Sequence, residues 1–360
     1  MLAAGAPAVE QPVPESVRTL PESVRVRWFG AGSPAPVDYA RRQLQAMRTG
    51  EPAHVGYVER PALLAALAAA VRDHRPDVVH AFGWGTAGLW RHTDGVPVVH
   101  MAVDAWHRNA GNRRLPVWRR PLAAAELGRI RGHERRHYPH DAAVVVVAPD
   151  DAAELRRLAP DARIEVVANG VDAGDEPAAL PAAPVLGFHG SFEAQHNVDA
   201  ARVLVRDVLP EVRRAVPDAR VLLVGRSPGP AVRALAGPDV ELRADVADAR
   251  AELADVTVYV APLVSGWGLK NKVLEAMAAG RPVVTTARGA AGIGAGPGVH
   301  ESPDVAGLAP LVVALLHDRA GLAAQGEAGR RRVVTDFTWA GSAAAIEALW
   351  ERAAAEGAPR

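Results

Sequence analysis

The chain has 360 residues, no cysteine, and 41 basic against 41 acidic residues, so its formal net charge is zero. That length exceeds one ordinary core and favours two domains of roughly 150 to 200 residues. The even mixture of charges excludes a basic stripe for nucleic acid or a polybasic membrane patch, and the missing cysteine excludes disulfides, thiolate metal sites and cysteine nucleophiles; cytoplasm is the expected location.

Residues 1 to about 23 are rich in Pro, Ala and Glu, contain no strand or helix of useful length, and lack the pattern of a signal peptide. Val24 to Phe29 alternates as a strand, and Asp38 to Met47 and Pro61 to Arg72 are expected helices. Asp77 to Gly83 and Pro97 to Val103 are expected buried strands, the second followed by Asp104-Ala105-Trp106-His107, at the kind of strand end where ligands of parallel sheets collect. Arg119 to Tyr138 is a charged helix, Ala142 to Val147 an apolar strand, Asp150 to Leu158 a capped helix, and Ile164 to Ala168 a strand closing on Asn169-Gly170-Val171-Asp172. His80 and His100 are expected in the core.

A Pro- and Ala-rich linker at 173 to 184 precedes a second run of the same rhythm. Val185 to His189, Ala219 to Gly225, Val256 to Ala261 and Pro282 to Thr286 are strands; Asn197 to Val216 and Ala231 to Ala236 are helices. Helices from Val305 to Leu316, Gly321 to Val334 and Gly341 to Glu356 finish the chain. The fold class is therefore α/β, with two doubly wound units and a ligand expected in the cleft between them. The longest apolar runs are of strand length, which excludes an integral membrane segment.

The stretch from Val264 to Val284 holds the densest chemistry. Gly266 and Gly268 open a helix whose start carries Lys270 and Lys272, the only lysines in the chain. Such a start binds anions through free N–H groups and the positive dipole end. At about 100° per residue, Gly268, Asn271, Lys272 and Glu275 share a face, so Lys272 is the expected phosphate ligand and Lys270 is expected in solvent. Glu275, among Val273-Leu274 and Ala276-Met277-Ala278, either accepts hydrogen bonds from the hydroxyls of a sugar or pairs at i,i+3 with Lys272.

An ordered set of segments resembles the retaining glycosyltransferases of family four. Val166 to Asp172 resembles the family's inter-domain signature, Gly187-Phe188-His189-Gly190-Ser191 with Asn197-Val198-Asp199-Ala200 its first C-terminal loop, Val221 to Gly225 the next strand and turn, and Gly268 to Val284 its donor-binding helix. The resemblance implies the GT-B architecture: two facing Rossmann-like domains, here 1–172 and 185–336, and a final helix, 337–360, that crosses back to the N-terminal domain. It implies transfer of a hexose from a nucleoside diphosphate-sugar to a small-molecule, lipid-linked or glycan acceptor, with retention and no cofactor or metal. Gly190, Ser191, Asn197, Gly225, Gly268, Asn271, Lys272, Val273 and Glu275 are the implied donor-binding residues, with Glu275 on the ribose. Lys272 is also implied in catalysis, and Asp104, Trp106 and His107 lie on the acceptor side, Asp104 and His107 as catalytic candidates, with packing of the loop the alternative for Trp106 and His107.

Three departures qualify the resemblance. Ser265-Gly266-Trp267 lacks the glutamate that contacts the donor sugar in many members. The common Arg and Lys after the first C-terminal strand are absent, so Lys272 bears more of the phosphate load. The family's opening strand, glycine loop and helix have no counterpart except Leu2 to Val9, which resembles the end of that helix. A non-catalytic nucleotide-sugar-binding or partner protein is the alternative. His133-Glu134-Arg135-Arg136-His137 matches the H-E-x-x-H zinc pattern and makes a metallohydrolase a further alternative. The surrounding arginines and the lack of a third ligand favour a solvated basic helix there. High arginine and alanine usage suggests a high-GC genome and a polysaccharide or secondary metabolite as product.

Overall fold

The protein is described by a computed structural model covering residues 2–3, 10–11, 27–29, 36–55, 61–111, 120–174, 176–266 and 268–359. The backbone divides into two units, Met1–Val166 with Ile346–Arg360, and Val167–Ala345.

In the first unit, β1 (Leu2–Ala3) runs parallel and β2 (Glu10–Gln11) antiparallel to β3 (Arg27–Phe29). Leu2–Ala3 is thus strand rather than the tail of a helix, while residues 4–9 lie outside the described residues. A separate parallel sheet follows in the order β4 (Val79–Phe82), β5 (Val98–Val103), β6 (Ala143–Val146), β7 (Ile164–Val166). Strand β6 is buried throughout, as an unbroken apolar run in a two-sided parallel sheet must be. The helix Pro149–Leu158 starts on proline, and its N-cap residue Ala148 provides no side-chain bond, so the expected aspartate cap is replaced by the preset φ of Pro149.

His100 is fully buried, within 3.2 Å of Asp141. His80 is not in the core. It lies exposed on edge strand β4, where its Nδ1 accepts the indole N–H of Trp350 at 3.0 Å. That tryptophan belongs to the last helix, Trp339–Glu356, which begins in the second unit and ends in the first. Leu349 and Ala353 are its buried contacts, and Arg352 with Glu165 and Arg163 with Glu356 flank them.

The second unit is one six-stranded parallel sheet. Its strands are β8 (Val185–His189), β9 (Arg220–Gly225), β10 (Val240–Ala244), β11 (Val258–Ala261), β12 (Val283–Thr286) and β13 (Val299–Ser302). They lie in the order β10-β9-β8-β11-β12-β13, the doubly wound 3-2-1-4-5-6 arrangement. Strands β10 and β13 are absent from the sequence-based expectation because they are the two edges, Val-Glu-Leu-Arg-Ala with charged residues between its apolar ones and Val-His-Glu-Ser with a single apolar residue. Fully buried Leu186, Leu223, Val258, Val260 and Val283 build the core.

The helix after β8 begins at Gln195 and passes through a π turn at Leu204–Val208 before continuing to Ala215. That turn precedes Pro210, which cannot donate into an α ladder. Segment 173–184 packs on this unit through arginines. Buried Arg281 donates to the carbonyls of Ala178, Val256 and Ala279, and Arg330 to that of Ala173. Among the described residues no helix is long and apolar enough to cross a membrane.

Candidate active site

In a 3-2-1-4-5-6 sheet the connections leave in opposite directions from the first and fourth strands, and the gap at their carboxyl ends is the ligand crevice. Here those strands are β8 and β11. Strand β8 ends on His189 and runs into Gly190; the segment after β11 leads through Gly266 and Gly268, at φ +93° and +75°, to the helix Asn271–Ala278. Positive φ at both glycines lets the backbone turn sharply and present the helix start to the crevice.

Lys272, the second helical residue, places its Nζ against Oδ1 of Asn197 and 4.8 Å from the centre of the Phe188 ring. Asn197 Nδ2 in turn donates to the Ser191 carbonyl at 2.7 Å. Gly190 leaves this pair its room, since a Cβ there would stand 2.9 Å from both Lys272 Nζ and Asn197 Nδ2. Gly225 serves the same corner indirectly, because a Cβ on it would overlap the Gly190 carbonyl oxygen. Burial and the neighbouring Lys270 charge bring Lys272 down to about 7, and burial with both lysines brings His196 down to about 4. The corner is short of negative charge.

Lys270 is buried, at 8% exposure, rather than in solvent. It is the N-cap residue, not a residue on the helix surface, and its side chain folds back beside Gly266 and close to His196. Asn271 accepts from Asn169 Nδ2 at 3.1 Å, tying the 166–172 signature to the helix start. The amide of Val273 donates to the Lys270 carbonyl at 2.8 Å, so its N–H is committed within the helix start, and its side chain is fully buried.

Within the chain Glu275 does not pair with Lys272. Its Oε2 accepts from His189 Nε2 at 2.6 Å, and that hydrogen bond is the main reason its carboxyl is held below the usual range. His189 lies in the Gly187–Ser191 segment of the resemblance, which gives it no role; its own signal in the sequence is a histidine as last residue of the central parallel strand.

In the first unit the acceptor-side candidates sit after β5. Val103, the last residue of that strand, is β-branched yet adopts φ +74°, a strained state that marks a constrained position. Asp104 accepts the indole N–H of Trp84 at 2.8 Å, and Trp84 stacks on buried Trp106 with ring centres 5.9 Å apart. His107 faces Glu134 at 2.6 Å and Glu154 at 3.2 Å, one through each ring nitrogen. Burial by itself would lower this imidazole, but the two carboxylates outweigh it and hold it raised. Acceptor-only oxygens on both sides make the ring a two-proton donor.

The face of the helix Arg120–His137 that carries the zinc-like pattern is not solvated. His133, Glu134 and His137 are buried, with Trp106 edge-on against His133, Trp90 beside His137 and His107 against Glu134, while Glu51, more than eighty residues earlier, meets both histidines. Glu51 accepts from His133 Nδ1 at 2.6 Å, from His137 Nε2 at 3.3 Å and from Arg136. Potential ligand atoms of Glu51, His133 and His137 lie within 4.8 Å of one another, which is a donor set of the zinc type. The hydrogen bonds speak against a metal. Trp90 Nε1, which can only donate, binds His137 Nδ1 at 3.3 Å, and this puts the ring proton on Nε2, where a metal would need a lone pair. Glu134, the general base of that pattern, is engaged by His107. The histidines hold Glu51 well below the ordinary carboxylate range although burial opposes them.

A family model described as Glycosyltransferase Family 4 matches residues 14–175, and one described as Glycosyl transferases group 1 matches residues 183–318. The chain belongs to the group 1 glycosyltransferases. Its fold is GT-B. This glycosyltransferase is similar in structure to sucrose-phosphate synthase from Thermosynechococcus elongatus, with a TM-score of 0.65, 18% identity, and 92% and 84% of the two chains covered. Anabaena Alr3699/HepE, solved in complex with UDP, gives 0.61 at 15% identity over 89% and 90%. A glycosyltransferase from Rickettsia africae ESF-5 gives 0.58 at 14% identity over 82% of each chain. No curated protein matches the chain.

Proposed function

We propose that this glycosyltransferase moves a hexosyl group from a nucleoside diphosphate-sugar to an acceptor hydroxyl, with retention at the anomeric carbon. The observation that carries the reading is the corner of Lys272, Asn197 and Gly190 beside Glu275, at the switch point of the second sheet. The leaving diphosphate gains charge as the glycosidic bond breaks. Lys272, Lys270 and the N–H groups of the helix start are cationic or dipolar groups already in place for that charge, the kind of preorganisation that lowers such barriers most. These groups supply the stabilisation without a metal or cofactor. Glu275 receives the ribose hydroxyls.

Support from outside the chain is of the same kind, since Anabaena Alr3699/HepE was solved with UDP and with UDP-glucose. On the acceptor side, Asp104 is the candidate for the acceptor hydroxyl. His107, with a carboxyl group facing each ring nitrogen, holds the segment that carries Asp104. A cytoplasmic enzyme of polysaccharide or secondary-metabolite synthesis fits this chemistry.

The test is a panel of nucleotide sugars screened for thermal stabilisation, then assayed for transfer. Lys272→Ala is expected to lower turnover about a hundredfold, and Glu275→Ala to weaken nucleoside diphosphate binding by roughly 2 to 4 kcal/mol. Binding without transfer to any acceptor would favour the non-catalytic alternative, which the missing carboxylate at Ser265-Gly266-Trp267 motivates.

A further inference from the structure

Glu275 stands between two possible partners. Lys272 is three residues earlier on the same helix, within ordinary i,i+3 reach, and a helix-surface carboxylate drifts toward such a neighbour. The structure shows another outcome. Lys272 is occupied by Asn197 Oδ1, and Glu275 Oε2 is held from the opposite side by His189 at 2.6 Å.

His189 is built into its place. It is 4% exposed, it closes the central strand, and its ring packs edge-on against fully buried Tyr259 with centroids 5.4 Å apart. A carboxylate accepts and never donates, so the 2.6 Å contact sets the ring proton on Nε2. Nδ1 has no hydrogen-bond partner among the described residues, so the ring's one polar commitment is to Glu275. The Glu275 side chain stays 30% exposed, and its Oε1 keeps its lone pairs for a ligand.

We infer that His189 is a positioning residue that fixes Glu275 for the two vicinal hydroxyls of a ribose, and so sets the preference of the site for ribonucleotides over deoxyribonucleotides. The inference rests on the nucleotide-sugar reading above. Two effects follow from the geometry. Holding one carboxylate oxygen removes rotamer freedom that a ligand would otherwise have to freeze. Drawing Glu275 away from Lys272 also keeps the lysine's charge for phosphate.

The experiment measures affinity of the full chain for UDP, GDP and ADP, each paired with its 2′,3′-dideoxy counterpart. The wild type is expected to favour the ribose form of its preferred nucleotide by about tenfold or more, the worth of a hydrogen bond to a charged group. In His189→Phe the ratio is expected to fall below about threefold, with any loss of dideoxy affinity, as Glu275 turns to Lys272, smaller than the loss for the ribose form. His189→Gln, whose amide can still donate to Glu275, should restore most of the ratio. His189→Met, which also lacks a donor, replaces the phenylalanine variant if that one fails to fold. A wild-type ratio retained in both donor-less variants would overturn the inference and leave His189 as packing, with the nucleotide reading intact. A wild type that binds none of the nucleotides, or binds ribose and dideoxy forms equally, overturns the ribose reading of Glu275 and the role of His189 with it.

Discussion

Lys272 and Asn197, 75 residues apart in the chain, meet through Nζ and Oδ1 above the Phe188 ring. The amide oxygen is neutral, so the contact satisfies the ammonium without cancelling its charge. An anion that enters this corner meets a cation whose burial is incompletely offset, and that imbalance makes the site responsive to pH.

Lys272, brought down to about 7 by burial and by Lys270, should bind a diphosphate with uptake of a proton above that pH. Nucleoside diphosphate affinity is expected to fall as pH rises from 7 to 9, and Lys272→Met should flatten the profile. The sign for stability follows from the same shift. The folded pKa lies below the unfolded one, so the cost of the buried ammonium is complete below about 7 and disappears as pH approaches 10.5. Calorimetric titration in buffers of different ionisation enthalpy reads the proton directly; equal heats at pH 8 in all buffers would contradict it.

Gly190→Ala and Gly225→Ala should separate binding from folding. The first pushes on the far ends of Lys272 and Asn197 and puts a side chain on backbone at φ +155°, so a roughly tenfold loss of nucleotide affinity is expected, with a smaller loss of melting temperature than the second. The second drives a methyl into the Gly190 carbonyl and should cost about 2 to 3 kcal/mol of stability. Paired denaturation and binding curves check both, and the reverse pattern would show that the roles are misassigned.

His107 is expected to titrate above the ordinary imidazole value of 6.5, read from its Cε1–H resonance. The stability this imidazolium contributes is complete below 6.5 and is lost as pH rises through the raised folded value. His107→Phe leaves Glu134 buried without its partner and should destabilise the protein by about 3 kcal/mol near neutrality. A midpoint at or below 6.5 would show that the carboxylates do not control the ring.

Deleting residues 346–360 removes Trp350 from His80, Arg352 from Glu165 and Glu356 from Arg163, and uncovers the sites of Leu349 and Ala353. Hydrogen exchange should accelerate in β4 and β7 of the first unit and stay unchanged in β8, β9 and β11 of the second. Nucleotide binding by the second unit should persist. Uniform acceleration across both units would refute this division of labour.

By itself the sequence determined much of this protein. Alternating strands and helices, a glycine-opened helix start and the chain's two lysines were legible because each depends on neighbours a few residues away, where periodicity and capping act. The α/β fold class and the proposal of a phosphate-binding helix start came from that local logic. What the sequence could not settle were matters of pairing over long separations. His189 rather than Lys272 holds Glu275 because β8 and the helix Asn271–Ala278 are brought together by the sheet order. Trp106, Trp90, His107 and Glu51 make a buried cluster of a helix face expected in solvent, Trp350 claims His80 at an edge, and Lys270 folds inward at an N-cap. A side chain's chemistry is written in its type, but its burial and its partner depend on which distant elements pack beside it, and only the tertiary structure decides that.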